Sequence, residues 1–182
     1  MIIAEQTQQL PVYSLVPDRL NGNKDFRVYN FAGDLPEESD LLLPRRKNYF
    51  LIVLMRRGGS HQSLDMESVT MKSNTVYFFV PNRVMVKEGI EELWATGIAF
   101  TMESISLQES ADVAKLPIIE TSQGGHELLL SDKDLDFVED LLAKINMEYE
   151  SSDGLKQRML AAYLNLLLTY LSRLYVVQYT LF

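Results

Sequence analysis

The chain has 182 residues, of which 47% are hydrophobic and 23% charged, as in an ordinary soluble globular protein with a sizeable core. Its formal charge is −8, from 25 acids against 17 bases, and this argues against direct DNA binding, which needs a basic surface to neutralise phosphates. The absence of cysteine rules out disulfides and thiolate metal sites and fits a cytoplasmic location. No apolar run approaches the ~20 residues of a bilayer span, and the start, Met1-Ile2-Ile3-Ala4-Glu5-Gln6, lacks a basic leader, so neither membrane nor signal peptide is expected.

Residues 1–25 carry Pro11, Pro17 and Asn21-Gly22-Asn23 and read as an extended arm with one turn. Phe26 to Phe31 alternates and predicts a first strand; Leu41-Leu42-Leu43 before Pro44 predicts a short edge strand. Tyr49 to Met55 is apolar without a break, so both faces of that strand must be covered. Gly58-Gly59 turns the chain. His61 to Asp65 and Ser68 to Lys72 then form a hairpin turning at Met66-Glu67, followed by a tight turn at Ser73-Asn74. Strands follow at Val76 to Val80, Arg83 to Lys87 and Leu93 to Thr101. In the last, Ala95, Gly97 and Ala99 make one face small and leave room beside it. Met102 to Gln108 reads as a helical turn, Leu116 to Glu120 as a short strand, and His126 to Leu130 as a segment pairing back onto a sheet. Strand spacing indicates a barrel or double-sheet jelly roll over 26–130.

From residue 131 the period changes to that of a helix. Ser131 is the expected N-cap, and Leu135, Val138, Leu142, Ile145 and Tyr149 share one face. Asp153 is the expected cap of a second helix running to about Tyr175. That helix carries two apolar stripes: Leu160, Leu164, Leu167, Leu171 and Leu174, and beside it Met159, Tyr163, Leu166 and Tyr170. One packing surface needs one stripe. A neighbouring helix absorbing both and a dimer seam on the leucines are therefore weighed together. The apolar end, Val176 to Phe182, reads as docked or as leading into another domain.

The run Pro44-Arg45-Arg46-Lys47-Asn48-Tyr49-Phe50, the strand it enters, Gly58-Gly59-Ser60-His61, the hairpin and Val76 to Pro81 together resemble the N-terminal domain of AraC-type transcriptional regulators. The helices ending Leu171-Ser172-Arg173-Leu174-Tyr175 resemble the helical pair that follows it, particularly in the subgroup common in Bacteroidetes. The resemblance runs from about Pro11 to Tyr175 and lies in the order of elements more than in single residues. It implies a mainly β fold with C-terminal helices: a cupin-like β-barrel over 26–130 that binds a small effector, then an antiparallel, dimerising helical pair over 131–178. DNA binding would belong to a helix-turn-helix domain absent from this chain, which is read as the sensing half of a longer regulator.

A cupin metal site draws histidines from positions that match Arg45, Lys47 and Met85 here, and none is histidine. Arg and Lys are cationic, so a metal-dependent enzyme is not expected, and no cofactor is. Alternation places Arg45, Lys47 and Tyr49 on one side; the resemblance implies that the matching positions line the mouth of the barrel, where they would favour an anionic or sugar-like effector. Set against this is a solvated basic patch before a strand. Tyr77, Phe78, Phe79, Trp94 and Phe100 are candidate walls of an apolar pocket, at least half of them expected in the core. The expected ligand set is Arg45, Lys47, Tyr49, Phe78, Met85 and Trp94, and the expected homodimer seam is the leucine stripe. Arg56-Arg57 reads as an exposed strand end and His61 as a surface hairpin residue. Two alternatives stay open, a metal-independent cupin isomerase or epimerase and a ligand-free dimerisation module; pocket lining separates the first and ligand screening the second.

Overall fold

Two layers of strands and one of helices make up the described part of the chain. The structure, a computed structural model, describes residues 10–17, 22–33, 45–87, 92–105, 112–120 and 127–179. Within them lie β1 (Val12–Tyr13), β2 (Phe26–Gly33), β3 (Arg45–Lys47), β4 (Phe50–Gly58), β5 (Ser60–Leu64), β6 (Glu67–Met71), β7 (Thr75–Phe79), β8 (Val84–Lys87), β9 (Leu93–Phe100) and β10 (Glu127–Leu129). A short helix, α1 (Pro117–Glu120), precedes β10, and α2 (Asp132–Glu150) and α3 (Lys156–Tyr179) follow it. The first sheet runs β1-β3-β8-β5-β6 and the second β10-β7-β4-β9-β2. All pairings are antiparallel except β1 with β3, which is parallel. This is a cupin-like sandwich followed by a helical pair: strand spacing predicts the double sheet, and the resemblance implies its cupin-like form and the pair of helices.

The unbroken apolar run of β4 has two covers. Ile52 and Leu54, with Phe78, Ile98 and Phe100, face outward onto Val138 and Ile145 of α2 and the leucines of α3. Met55, with Tyr77, Phe79 and Ala95, faces inward onto Leu64 and Met71 of the first sheet. A strand pressed on both sides cannot alternate, hence its composition.

Several turns and ends differ from expectation. The hairpin turns at Asp65-Met66, one residue earlier than predicted, because a two-residue loop that follows the strand twist takes positive φ at both positions. Asp65 has φ +48 and Met66 φ +74, and the Asp65 carboxylate accepts the Val84 N–H at 2.8 Å. Met66 is 91% exposed, so Met66→Gly relieves strain without losing packing; a gain of about 0.5–1 kcal/mol in chemical denaturation is expected. Gly58 has φ +100, and a Cβ there would stand 2.4 Å from the Glu92 carbonyl oxygen, so the β4–β5 turn requires glycine.

Residues 117–120 are helical, where a strand was expected; Pro117 opens α1 with its φ already set, and the Leu116 carbonyl accepts the Ile119 and Glu120 N–H groups. A 3₁₀ turn covers Met102–Ser104 within the predicted helical turn. The predicted strand at Leu41 to Leu43 and His126, the first residue of the segment expected to pair back, lie outside the described residues, as do residues 180–182.

Ser131 caps α2 as predicted, in a reciprocal box with Asp134. Asp153 does not cap α3, which begins at Lys156 after Leu155 at φ +64; there the local bonds converge on Ser151, whose carbonyl accepts Lys156 Nζ at 2.8 Å. The helices are antiparallel: Tyr170 donates to Asp134 at 2.7 Å and stacks on Phe137 at 4.1 Å, while Lys156 sits over Tyr149 at the other end.

The leucine stripe is not a free seam. Leu160, Leu164, Leu167 and Leu171 are at most 2% exposed and lie in the same cluster as sheet and α2 residues, with Leu174 packed beside them. The neighbouring helix and sheet of the same chain take that face. The second stripe is open in part: Met159 is 39% and Leu166 48% exposed, while Tyr163 and Tyr170 pack against the core. By length and composition alone α3 is apolar enough to cross a membrane. Its leucine face is instead covered by β-sheet and α2.

Candidate functional site

Register decides where the candidate residues point. Arg45 pairs with Met85, and Met85 with Leu64, which is 2% exposed and packs inward. Paired residues share a face and side chains alternate, so Arg45, Lys47 and Met85 line the space between the sheets while Arg46 points out. Arg46 is exposed and donates to the Asn82 carbonyl at 2.8 Å. Arg45 and Lys47 are half-buried, so the solvated-patch reading does not describe them.

The sheets meet at both edges. On one side Arg27 of β2 donates to the Val16 carbonyl, just beyond β1, at 3.3 Å. On the other, Lys72, next to β6, pairs with Glu127 of β10 at 2.9 Å. With five strands in each sheet, β3 falls across from β9. The inward face of β9 is Ala95, Gly97 and Ala99, so the two cations of β3 look onto a wall of small residues. A Cβ placed on Gly97 would meet first Tyr29, Leu51 and Ile52 of its own sheet, at 3.6–3.8 Å, and nothing nearer from the facing one. Gly97→Leu is therefore expected to fill this space from the wall, cutting ligand response in a thermal-shift assay while leaving the sheet intact.

β2 adds a third cation. Arg27 pairs with Ala99, Tyr29 with Gly97 and Phe31 with Ala95, so all three point inward. Each cation stands over an aromatic ring: Arg27 over Tyr29 at 4.8 Å, Arg45 over Tyr13 at 5.6 Å, Lys47 over Tyr49 at 5.7 Å. Such contacts hold a cation in place without using its hydrogen-bond donors, one of which Arg27 gives to the Val16 carbonyl. The ion pairs among the described residues involve none of the three. Burial, and then the neighbouring Arg45 charge, lowers Lys47 from 10.5 to about 8.

The structure brings together Arg45, Lys47, Tyr49 and Met85 of the expected set and does not bring Phe78 or Trp94 to them. Phe78 lies on the outer face against Phe50 and the helical core. Trp94 alternates onto that same side, half-buried, with the Arg57 guanidinium 4.7 Å from its ring. Of the five candidate wall aromatics, Tyr77 and Phe79 face inward, and Phe78 and Phe100 face the helices. Arg56 is more than a strand end: it pairs with Glu139 of α2 at 2.8 Å and donates to Thr96 at 2.7 Å, tying sheet to helix. His61 is a hairpin surface residue, 3.2 Å from the Thr70 hydroxyl. Among the described residues no group of three or more His, Cys, Asp or Glu could hold a metal. Arg27, Tyr29 and Tyr13 were missed; the alternation of β2 was visible, but not which of its faces turned in.

An inner residue also reaches the helices. Tyr77 accepts the Lys72 N–H at 2.6 Å, and its hydroxyl lies 3.3 Å from a Glu127 carboxylate oxygen. Burial, with a smaller push from Glu127, outweighs the Lys72 bond and raises this phenol to about 12. Glu127 belongs to β10, which the last turn of α3 clamps. Tyr179 donates to the Glu127 carbonyl, and the Gln178 amide both accepts the Leu129 N–H at 3.0 Å and donates to the Leu129 carbonyl at 2.7 Å. Gln178 thus mimics the next strand on a sheet edge.

No protein-family model and no curated protein matches the chain. Among solved structures, it is similar to ToxT from Vibrio cholerae at 12% identity and a TM-score of 0.42, over 86% of this chain and 58% of that one. It is similar to the AraC-like transcriptional activator CuxR at 12% identity and 0.42, over 84% and 49% respectively. A putative ethanolamine utilization protein Q from Salmonella typhimurium matches at 17% identity and 0.29, over 41% and 54%. The chain thus spans about half the length of these proteins. At such scores none of them fixes what this chain does.

Proposed function

We propose that the chain is a small-molecule-sensing domain of an AraC-type transcriptional regulator, taking an anionic or sugar-like effector between its sheets and controlling a DNA-binding domain outside this sequence. The observation that carries this reading is the inward-facing pair Arg45 and Lys47, half-buried across from the Ala95-Gly97-Ala99 wall. Among the described residues no acid pairs with either cation, and a partly buried cation without a counter-charge is relieved by an anion. Sequence order supports the family through the resemblance of the Pro44 to Pro81 segment and the helical pair.

The reading is of a binder and not a catalyst. An isomerase or epimerase needs an acid and a base aimed at its substrate. Among the described residues Tyr77 with Glu127 comes nearest that description, but the phenol is held by the Lys72 N–H and stays protonated at neutral pH. Signal transfer runs by linkage: the ligand favours one arrangement of the arm or the helical pair over another. The arm residues touch the site directly, since Tyr13 lies under Arg45 and Asn48 donates to Ser14 at 2.9 Å. At the far edge, Tyr77, Glu127 and the Gln178–Tyr179 clamp connect the inner face to the end of α3. A homodimer on the open stripe of Met159 and Leu166 belongs to the same proposal.

A thermal-shift screen of organic acids, sugar acids and neutral sugars tests the reading, followed by limited proteolysis of the first 25 residues with and without the best ligand. A stabilising ligand that alters arm cleavage is expected. Stabilisation by no member of the screen, or turnover of a sugar, would overturn it.

A further inference from the structure

We infer that the space between the sheets selects a small dianion, held from both walls by Arg27 on β2 and by Arg45 with Lys47 on β3. This rests on the sensing reading above and specifies its ligand. Three observations lead to it. Register turns Arg27 inward at the level of Ala99, on the sheet facing Arg45 and Lys47. Each of the three cations stands over its own aromatic ring, from β1 or β2 or beside β4, and Arg27 is held further by the Val16 carbonyl. And no carboxylate among the described residues pairs with any of them.

A single monocarboxylate can satisfy one fork or one ammonium, leaving the other wall desolvated and unmatched. Two negative charges on a short frame neutralise both walls at once. Small residues between them leave room for that frame, and the flanking Tyr29, Phe31 and Leu51 offer it apolar surface. Dicarboxylates and phosphate esters share this chemistry. The position of Arg27 on the wall opposite the β3 pair favours charges at two ends of a molecule over charge gathered on one phosphorus.

Calorimetric titration of the whole chain at neutral pH with succinate, glutarate, inorganic phosphate, butyrate and glucose tests this. Succinate or glutarate is expected to bind at least about tenfold more tightly than butyrate, the contribution of one further charge-assisted contact. Arg27→Gln should weaken succinate and glutarate more than butyrate and so shrink that ratio, and Arg27→Lys should restore part of it. Phosphate binding above both dicarboxylates would overturn the two-ended geometry. Butyrate matching succinate, or Arg27→Gln leaving the ratio unchanged, would overturn the dianion inference while leaving sensing in place. Glucose alone binding would remove the anionic reading, and binding of none would remove the sensing reading with it. Circular dichroism of both Arg27 variants confirms that a lost ratio is not a lost fold.

Discussion

Replacing Lys47 with methionine is expected to stabilise the protein at neutral pH and to weaken anion binding by about ten- to a hundredfold. The two effects have one cause. The amine sits between the sheets, where burial first and the Arg45 charge second bring it from 10.5 down to about 8. At about 1.4 kcal/mol per pKa unit, its protonation costs the folded state on the order of 3 kcal/mol, less what residual solvent contact screens around a half-buried side chain. Methionine fills the same volume without the charge.

The pH dependence gives a separate check. Because the folded-state value lies below the unfolded one, the unfolded chain holds more protons between about pH 8 and pH 10.5. Stability of the natural chain should therefore climb with pH through that window and stay flat below it as far as this group is concerned. Denaturant titrations should show this climb in the natural chain and lose it in Lys47→Met. Affinity for an anion should run the other way, steady below about pH 8 and falling above it, with proton uptake on binding near that pH. A methionine variant less stable than the natural chain, or one binding anions unchanged, would remove Lys47 from the site.

The second large effect concerns α3. Leu164→Ala is expected to cost about 3–4 kcal/mol, since Leu164 is fully buried between sheet and helix and a cavity remains where the side chain was. Leu166→Ala, at a side chain 48% exposed, should cost under about 1 kcal/mol. Equilibrium denaturation measures both, and the Leu164 loss should not depend on protein concentration, because the contacts are within one chain. Sedimentation equilibrium should respond oppositely: Leu166→Lys weakens self-association through the open stripe, and Leu164→Ala does not act on it directly. If the leucine stripe were the dimer seam, these ranks would reverse and the Leu164 cost would grow on dilution.

Much of the architecture was legible because local physics is strong there. The unbroken apolar run of β4, the Ser131 cap and the helical period of α2 each follow from short-range rules that the tertiary structure obeys. The hairpin was placed one residue late because the turn uses Asp65 and Met66 at positive φ, where a glycine signal would have marked it. Residues 117–120 were misread as a strand because Leu116 to Ile119 is apolar and short, and such a run does not declare its period. Of the site, the two β3 cations and Met85 were legible from alternation and resemblance. Phe78 and Trp94, named as candidate ligand residues, lie away from the β3 cations; β7 is buried on both sides, so burial propensity does not tell the inner face of that strand from the outer.

By itself the sequence determined the order of strands and helices, the mainly β class, the shared side of Arg45 and Lys47 and the small face of Ala95, Gly97 and Ala99. Only the tertiary structure decided that β2 turns Arg27 and Tyr29 toward that face, that the leucines of α3 pack within the chain, and that Gln178 clamps β10. The physical reason is that periodicity states which residues share a face, whereas the partner of that face is set by long-range packing of one layer on another.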